Sequence, residues 1–454
     1  MPDPKSQIPN PKVRGARVLV VGMARSGVAS VELLVKRGAE VRATDLQAAA
    51  PEVTHELEAL HVPFQLQAPD VFEGADLIVL SPGVPADLEA LEAARRRGAS
   101  VIGEVELASY FLEGPVLGIT GSNGKTTTTA LAGHILRESG IPAQVGGNIG
   151  TPVTAMIETS KPDQWNVLEL SSFQLETICR FRAQIAVALN VTPDHLDRHH
   201  TFEQYAAAKG RLFETQQPGD WAVLNADDPV CVRYASLTKA KPLWFSSMKA
   251  VNPGVSVRDG EIRFDSERLM PAAEIPIRGL HNVENTMAAA AACRLAGATV
   301  EQIAAAVRTF HAVEHRLEFV RNVSGIDFYN DSKATNVDAT LKALDAFASG
   351  LWVILGGKDK GSDYTVLRQP LSEKARAAIL IGAAASKIRG QIEGAVPLMD
   401  SKTLEVAVRD AFAAAKPGDT VLLAPACASF DQFDNYEHRG RVFKSLVARL
   451  EPKN

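Results

Sequence analysis

Gly118-Ile119-Thr120-Gly121-Ser122-Asn123-Gly124-Lys125-Thr126-Thr127 is the stretch around which the chain is organised. It follows the apolar run Pro115-Val116-Leu117, read as a buried parallel strand, and precedes Thr128 to Glu138, read as a helix. A strand, a glycine-rich turn and a helix opening at Lys-Thr is the layout of a phosphate-binding loop. Gly121 and Gly124 let backbone N–H groups approach phosphate oxygens, and the helix N-terminus adds a field that favours anions. In that layout Gly121 to Thr127 cradle the phosphates, Lys125 reaches the β/γ-phosphates and the Thr126 hydroxyl holds Mg²⁺. The general formula G-x4-G-K-[ST] is not met, because Ile119 stands where its first glycine belongs. A bare glycine-rich turn without a ligand is the plainer alternative.

Outward from the loop, short apolar strands alternate with helical stretches, the signature of α/β layering. Val18–Val21, a turn from Gly22 to Gly27 and a helix Val28–Arg37 open the chain, and Glu40–Thr44 ends at Asp45. This looks like a dinucleotide-binding start, weakened by Ala24 in place of the second glycine of G-x-G-x-x-G. Strand Asp76–Leu80 runs into Ser81-Pro82-Gly83, which is a ligand-binding turn or only a tight turn. Beyond the loop come strands Pro142–Val145, Trp165–Leu170 and Ile185–Leu189, and each ends in residues able to do chemistry: Asn148, Glu169 and His195. A helix Phe202–Thr215 carries Lys209 behind Tyr205-Ala206-Ala207-Ala208, a small-residue face suited to burial. His195, His199 and His200 could together hold zinc, but lack a metal-ligand register. His199 and His200 read more simply as solvated loop residues.

A β-rich stretch, Leu243 to Phe264, contains the hairpin turn Arg258-Asp259-Gly260-Glu261. A long alanine-rich helix then opens near Gly279, with Asn282 and Asn285 one turn apart, suited to a purine base or to capping. A third α/β unit has strands Ile326–Tyr329, Trp352–Leu355, Ala377–Ile381 and Thr420–Leu423, followed by a C-terminal helix. Cys427 lacks a base nearby in sequence and reads as a small buried residue.

Composition sets the bounds. The 454 residues carry a net charge of −5, with 46% hydrophobic and 22% charged residues, ordinary for a soluble globular protein. Such a length calls for about two to four domains. The charge gives no case for nucleic acid. Cys179, Cys231, Cys293 and Cys427 are scattered, so neither a disulfide framework nor a cysteine zinc site is expected, and a reducing cytosol is the default. Met1 to Lys12, with Pro2, Pro4, Pro9 and Pro11, reads as a flexible tail, and no apolar run is long enough to span a membrane.

Together, the phosphate loop, Glu169-Leu-Ser-Ser-Phe-Gln-Leu-Glu176, Asn190 to Arg198, Lys209, His281-Asn282-x-x-Asn285, His315-Arg316, Asp331-Ser-Lys-Ala-Thr-Asn336 and Pro425 to Phe433 resemble, in content and order, the Mur ligase family. The resemblance covers the chain from about Val18. The segments after Glu169 and around Cys427 are similar to members that use D-glutamate, and the Asp-Asn-Pro-Arg motif of members that add diaminopimelate or lysine is absent. The resemblance implies three α/β domains, with Rossmann-like N- and C-terminal sheets around a P-loop-type central ATPase sheet. The expected boundaries are 1–112 for the UDP substrate, 113–313 for ATP and 314–454 for the amino acid.

It also implies an ATP-dependent ligase of peptidoglycan synthesis that joins D-glutamate to UDP-N-acetylmuramoyl-L-alanine (UDP-MurNAc-L-Ala) through an acyl phosphate. Lys125 and Arg316 would neutralise the transferring phosphoryl group, with Mg²⁺ held by Thr126 and Glu169. His195 and Lys209 would place a second Mg²⁺. Lys209 is expected to be carbamylated, since cationic neighbours favour the neutral amine that takes up CO₂. Asn282, Asn285 and Asp331 would bind adenosine. Lys333, Thr335, Lys358, Ser429 and Phe430 would frame the D-glutamate pocket. Ser26, Gly27, Ser81, Pro82 and Gly83 would hold the uridine nucleotide, with Asn148 at the sugar–peptide end. A cytoplasmic monomer is expected. A folylpolyglutamate synthase-like ligase has no counterpart of the first 112 residues. A P-loop switch or motor ATPase would need a Walker-B strand, and none is apparent.

Overall fold

In a computed structural model, described for residues 13–311 and 313–452, the chain builds three α/β sheets, as the alternation of strands and helices predicts. The reading of Met1 to Lys12 as a tail lies outside the described residues. Among the described residues, Ile262–Leu269 and Met287–Ala306 join those up to Arg258 in one compact unit; Asp259–Glu261, Met270–Thr286 and those from Val307 onward form another.

The first sheet runs Phe64–Leu66, Glu40–Asp45, Arg17–Val21, Leu77–Leu80, Ser100–Gly103, and its strands pair in parallel. Leu77–Leu80 is buried at all four positions, as expected of a parallel strand covered on both faces. Strand order reverses between Arg17–Val21 and Leu77–Leu80, and their carboxyl ends mark the switch point where such sheets bind ligands. The first helix spans Arg25–Lys36 and not Val28–Arg37. Ala24 is its extended N-cap, so the turn is three residues shorter than the glycines suggest.

The second sheet runs Glu267–Pro271, Glu261–Phe264, Gly254–Arg258, Lys241–Ser246, Trp221–Asn225, Ile185–Ala188, Val116–Thr120, Trp165–Glu169, Ala143–Gly147. The phosphate-loop strand, Val116–Thr120, lies inside it and is buried throughout. It extends three residues past Leu117, because Gly118 and Ile119 pair with both neighbouring strands, opposite Leu168 and Glu169 on one side and Ala186 and Val187 on the other, and Thr120 pairs with Ala188. The following helix, Lys125–Glu138, starts from Gly124 at φ 88°, a left-handed position that suits glycine. Asp259 and Gly260 both have positive φ, 52° and 76°, as a two-residue hairpin turn requires.

The third sheet runs Glu318–Val323, Ile326–Asn330, Thr420–Leu423, Leu351–Gly356, Ala375–Ile381, Leu398–Lys402, parallel except for its first, antiparallel edge. The four cysteines are free thiols. Among the described residues no helix is long and apolar enough to cross a membrane.

Candidate active site

In the first unit the phosphate loop is tied to the segment after strand Ile185–Ala188. Ser122 N donates to Asn190 O (2.8 Å), Asn123 N to Asn190 Oδ1 (2.9 Å), and Ser122 Oγ to Thr192 O (2.9 Å). Lys125 Nζ donates to the loop's own carbonyls, Gly121 O at 2.8 Å and Ser122 O at 2.9 Å. Lys209 reaches the same Gly121 O at 2.8 Å from the helix Phe202–Glu214. It is only 1% exposed, and its ammonium lies 4.5 Å from the centre of the Tyr205 ring. Burial, with the nearby Lys125 charge added, pushes the Lys209 amine far below its ordinary pKa, against the pull of Asp194 and Glu169.

Glu169 ends its strand buried, as the small residues after it suggest. Asn148 Nδ2 donates to Glu169 Oε1 at 2.7 Å and Asn148 N to its carbonyl at 2.8 Å. The other oxygen, Oε2, is buried and meets no hydrogen-bond partner among the described residues. A buried carboxylate oxygen left open, in the same unit as the buried hydroxyl of Thr126, fits a hard cation such as Mg²⁺. His195 is the left-handed N-cap (φ 54°) of the short helix Leu196–His199, with its ring edge-on to Phe173 at 4.9 Å.

His199 is not a solvated loop residue: it is 4% exposed, bonded to Ser172 Oγ (2.9 Å) and 3.2 Å from Glu176 Oε1. Stacking on Phe173 at 5.4 Å completes its burial. His200, its side chain 65% exposed, faces Asp87. Among the described residues, the group with metal-ligand geometry is Glu314, His315 and Glu318, in which Lys444 Nζ already binds both glutamates. Sequence reasoning gave no role to Arg198, whose Nη2 donates to Val84 O (2.8 Å) and Glu176 Oε2 (2.9 Å). Nor did it give one to the Tyr205 hydroxyl, 2.9 Å from Ser122 Oγ. Tyr205 stands one helical turn before Lys209, and that spacing was the available signal.

A cleft of about 520 Å³ opens at the switch point of the first sheet. Ser26, Ser81, Pro82, Gly83 and Asn148 line it. Gly27 does not line it; a Cβ there would stand 1.8 Å from Gly22 O, so Gly27 permits the helix to pack on the turn. Asp45, the acidic residue of the dinucleotide pattern, accepts from Met23 N at 2.6 Å and Gln47 N at 3.3 Å.

In the second unit Asn285 Nδ2 donates to Asn282 Oδ1 (3.0 Å), and Asn282 Nδ2 to Arg278 O (2.7 Å). Asp331 is buried and accepts from Leu317 N; burial raises its carboxyl to about 6 despite the Arg316 charge. Lys333 Nζ donates to the Tyr436 hydroxyl at 2.7 Å, while the backbone N–H of Thr335 donates to Lys333 O. Lys358 and Ala428 exchange backbone hydrogen bonds of 2.8 and 3.1 Å. Ser429 is buried, whereas Phe430 is 67% exposed. Cys427 is buried against the Tyr364 hydroxyl at 3.0 Å, and burial pushes its thiol up to about 11, the reverse of what a nucleophile needs.

Residues 16–103 match the Mur ligase MurD-like N-terminal domain, 119–293 the Mur ligase middle domain, and 315–427 the Mur ligase glutamate ligase domain. The UDP-N-acetylmuramoylalanine–D-glutamate ligase of Solibacter usitatus (strain Ellin6076) is 68% identical over 98% of this chain and 100% of its own. Its counterpart in Koribacter versatilis (strain Ellin345) is 52% identical over 96% and 98%. Two solved structures share the fold at low identity. The MurF ligase of Thermotoga maritima, solved in complex with ADP, has a TM-score of 0.62 at 17% identity and covers 97% of each chain. The pseudomurein peptide ligase type C of Methanothermus fervidus has a TM-score of 0.61 at 19%, covering 96% of this chain and 100% of its own. All three parts of the sequence thus find the same relatives, and the chain belongs to the Mur ligase family, standing within it beside the UDP-N-acetylmuramoylalanine–D-glutamate ligases.

Proposed function

We infer that this protein is an ATP-dependent ligase of peptidoglycan synthesis that joins D-glutamate to UDP-MurNAc-L-Ala. The observation that carries the reading is full-length identity of 68% to a ligase of that name, together with a phosphate loop built for a nucleotide. A carboxylate is a poor electrophile at neutral pH because its leaving group would be oxide. ATP removes that obstacle: the alanyl carboxylate attacks the γ-phosphorus, the bond to ADP breaks, and an acyl phosphate forms. The D-glutamate amine then attacks the acyl carbon, phosphate leaves with the C–O bond electrons, and the amine proton is released.

We assign the roles by family position. Gly121 to Thr127 bind the ATP phosphates, and Lys125 with Arg316 neutralises the transferring group. Asn282, Asn285 and Asp331 take the adenosine. Thr126 and Glu169 would hold Mg²⁺, and the open oxygen of Glu169 supports that assignment. The cation's contribution is to neutralise phosphate charge. His195 and Lys209 would hold a second, and we propose that Lys209 is carbamylated. Its depressed pKa supports this, since only the neutral amine adds to CO₂, losing a proton to leave an anionic oxygen donor. Ser26, Ser81, Pro82 and Gly83 would contact the uridine nucleotide, and Gly27 would shape the turn. Lys333, Thr335, Lys358, Ser429 and the backbone at Phe430 would frame D-glutamate, the two lysines meeting its carboxylates. We further propose 1–112, 113–313 and 314–454 as the domains for these three ligands, and the cytoplasm, where ATP and nucleotide-linked sugars are made, as the site of the reaction.

The test is isotopic. UDP-MurNAc-L-Ala carrying ¹⁸O in its alanyl carboxylate should deliver one labelled oxygen to the phosphate released during amide formation. Unlabelled phosphate would exclude the acyl phosphate.

A further inference from the structure

Arg439, in the first turns of the C-terminal helix Tyr436–Ala448, is 0% exposed and the largest fully buried side chain among the described residues. Buried cations are normally paired with a carboxylate, because desolvating a lone charge is costly. No hydrogen bond of Arg439 among the described residues ends on a carboxylate. Nε donates to Ser332 Oγ (3.0 Å), Nη2 to Ser332 O (2.8 Å), and Nη1 to Cys427 O (3.1 Å) and Ala428 O (3.5 Å). Burial lowers its pKa to about 10, which leaves it charged at neutral pH.

These acceptors sit on two loops, the one carrying Lys333 and Thr335 and the one carrying Ser429. A third loop leans on the same group. A Cβ on Gly357 would stand 3.2 Å from Arg439 Nη1 and 2.2 Å from Ala428 O, so glycine lets the Lys358 loop close in. The same helix meets a fourth segment, since a Cβ on Gly440 would stand 2.2 Å from His315 Nδ1, beside Arg316. Tyr436, in its first turn, holds the Lys333 amine. An arginine spent on neutral acceptors from adjoining loops does what lysine cannot, because its planar fork reaches several directions at once.

We propose that Arg439 is a positioning residue of the amino-acid pocket: it fixes the spacing of the loops that carry Lys333, Lys358 and Ser429. This rests on the assignment of those loops to D-glutamate made above. Arg439 acts through the loops.

The test compares wild type with R439K, R439M and the milder S332A, which removes one acceptor and adds no bulk. In R439K the KM for D-glutamate should rise about tenfold, and in R439M further, while those for ATP and UDP-MurNAc-L-Ala change less than about twofold. S332A should move the same constant in the same direction by less, which keeps the test open should R439M not fold. Hydroxylamine in place of D-glutamate reads activation separately. Its nitrogen attacks the acyl carbon, phosphate leaves, and a hydroxamate forms. Its yield from R439K should stay within about threefold of wild type. An unchanged D-glutamate KM in both R439K and S332A would overturn the proposal, and so would a parallel rise in all three KM values, the mark of a merely structural arginine. If wild type itself forms no hydroxamate, the ligase reading fails and the Arg439 question does not arise.

Discussion

Lys125 and Lys209 converge on one acceptor, the carbonyl oxygen of Gly121. Two ammonium groups on one oxygen repel, and burial together with the Lys125 charge makes Lys209 lose its proton more readily than an ordinary lysine. That arrangement gives the carbamate proposal its physical basis. Lys209→Ala should lower turnover by about 100-fold or more. Acetate or formate should restore part of it by occupying the carbamate's place, and removing CO₂ and bicarbonate should lower wild-type activity reversibly. Rates indifferent to bicarbonate and to added acids would contradict the modification. Glu104 supplies a second test at this scale. It is fully buried, its Oε1 accepts from Thr154 N and Oγ1, and burial raises its carboxyl from 4.5 to about 7. Between those values the unfolded chain has released the proton that the folded protein keeps. Stability should therefore be full below pH 4.5 and fall as the pH climbs towards 7, by about 3 kcal/mol. In Glu104→Gln the fall should vanish, so that thermal midpoints of the variant and wild type draw apart in the variant's favour between pH 5 and pH 8. Parallel midpoint curves would show that Glu104 titrates normally.

At the scale of elements, the packing of helix Arg25–Lys36 against its turn decides the shape of the cleft that we assign to the uridine nucleotide. Gly27 leaves room for Gly22 O, which also accepts from Ser81 Oγ at 2.7 Å, so helix, turn and the Ser81 loop are locked together. Gly27→Ala must push the helix off the turn. The KM for UDP-MurNAc-L-Ala should rise about tenfold or more, with a lower thermal midpoint and little change in the KM for D-glutamate. An unaltered KM would mean that the cleft is not the nucleotide's. Elements of this kind were legible where their pattern is strong. Buried parallel strands such as Val116–Thr120 and Thr420–Leu423 announce themselves as apolar runs ending in glycine or small residues. Glu318–Val323 gave no such signal, because it is an antiparallel edge with only Val323 buried. Phe64–Leu66, Ser100–Gly103 and Leu398–Lys402 are short or half-exposed strands without alternation. Side-chain roles set by distant contacts were equally invisible. His199 is buried through Ser172, Glu176 and Phe173, and Arg439 through loops about a hundred positions upstream and about a dozen positions before it, none of which a local pattern encodes.

For the molecule as a whole, the proposed assignment gives each of the three sheets one ligand, and the reaction needs all three ligands. The phosphoryl acceptor is a substrate carboxylate, so ATP alone should be spent slowly. If Lys333 and Lys358 meet the two carboxylates as proposed, the pocket should reject alanine and glutamine, since unpaired charges would remain, and L-glutamate should fail on geometry. The D-glutamate ligase activity is tested by phosphate release from ATP with UDP-MurNAc-L-Ala and, in turn, D-glutamate, L-glutamate, D-alanine, glutamine and meso-diaminopimelate, with product mass recorded. Rapid release and an amide product are expected with D-glutamate alone, and at least about 100-fold less with every other amino acid or with either substrate left out. Rapid ATP turnover without the other substrates, or equal rates with L-glutamate or meso-diaminopimelate, would contradict that activity.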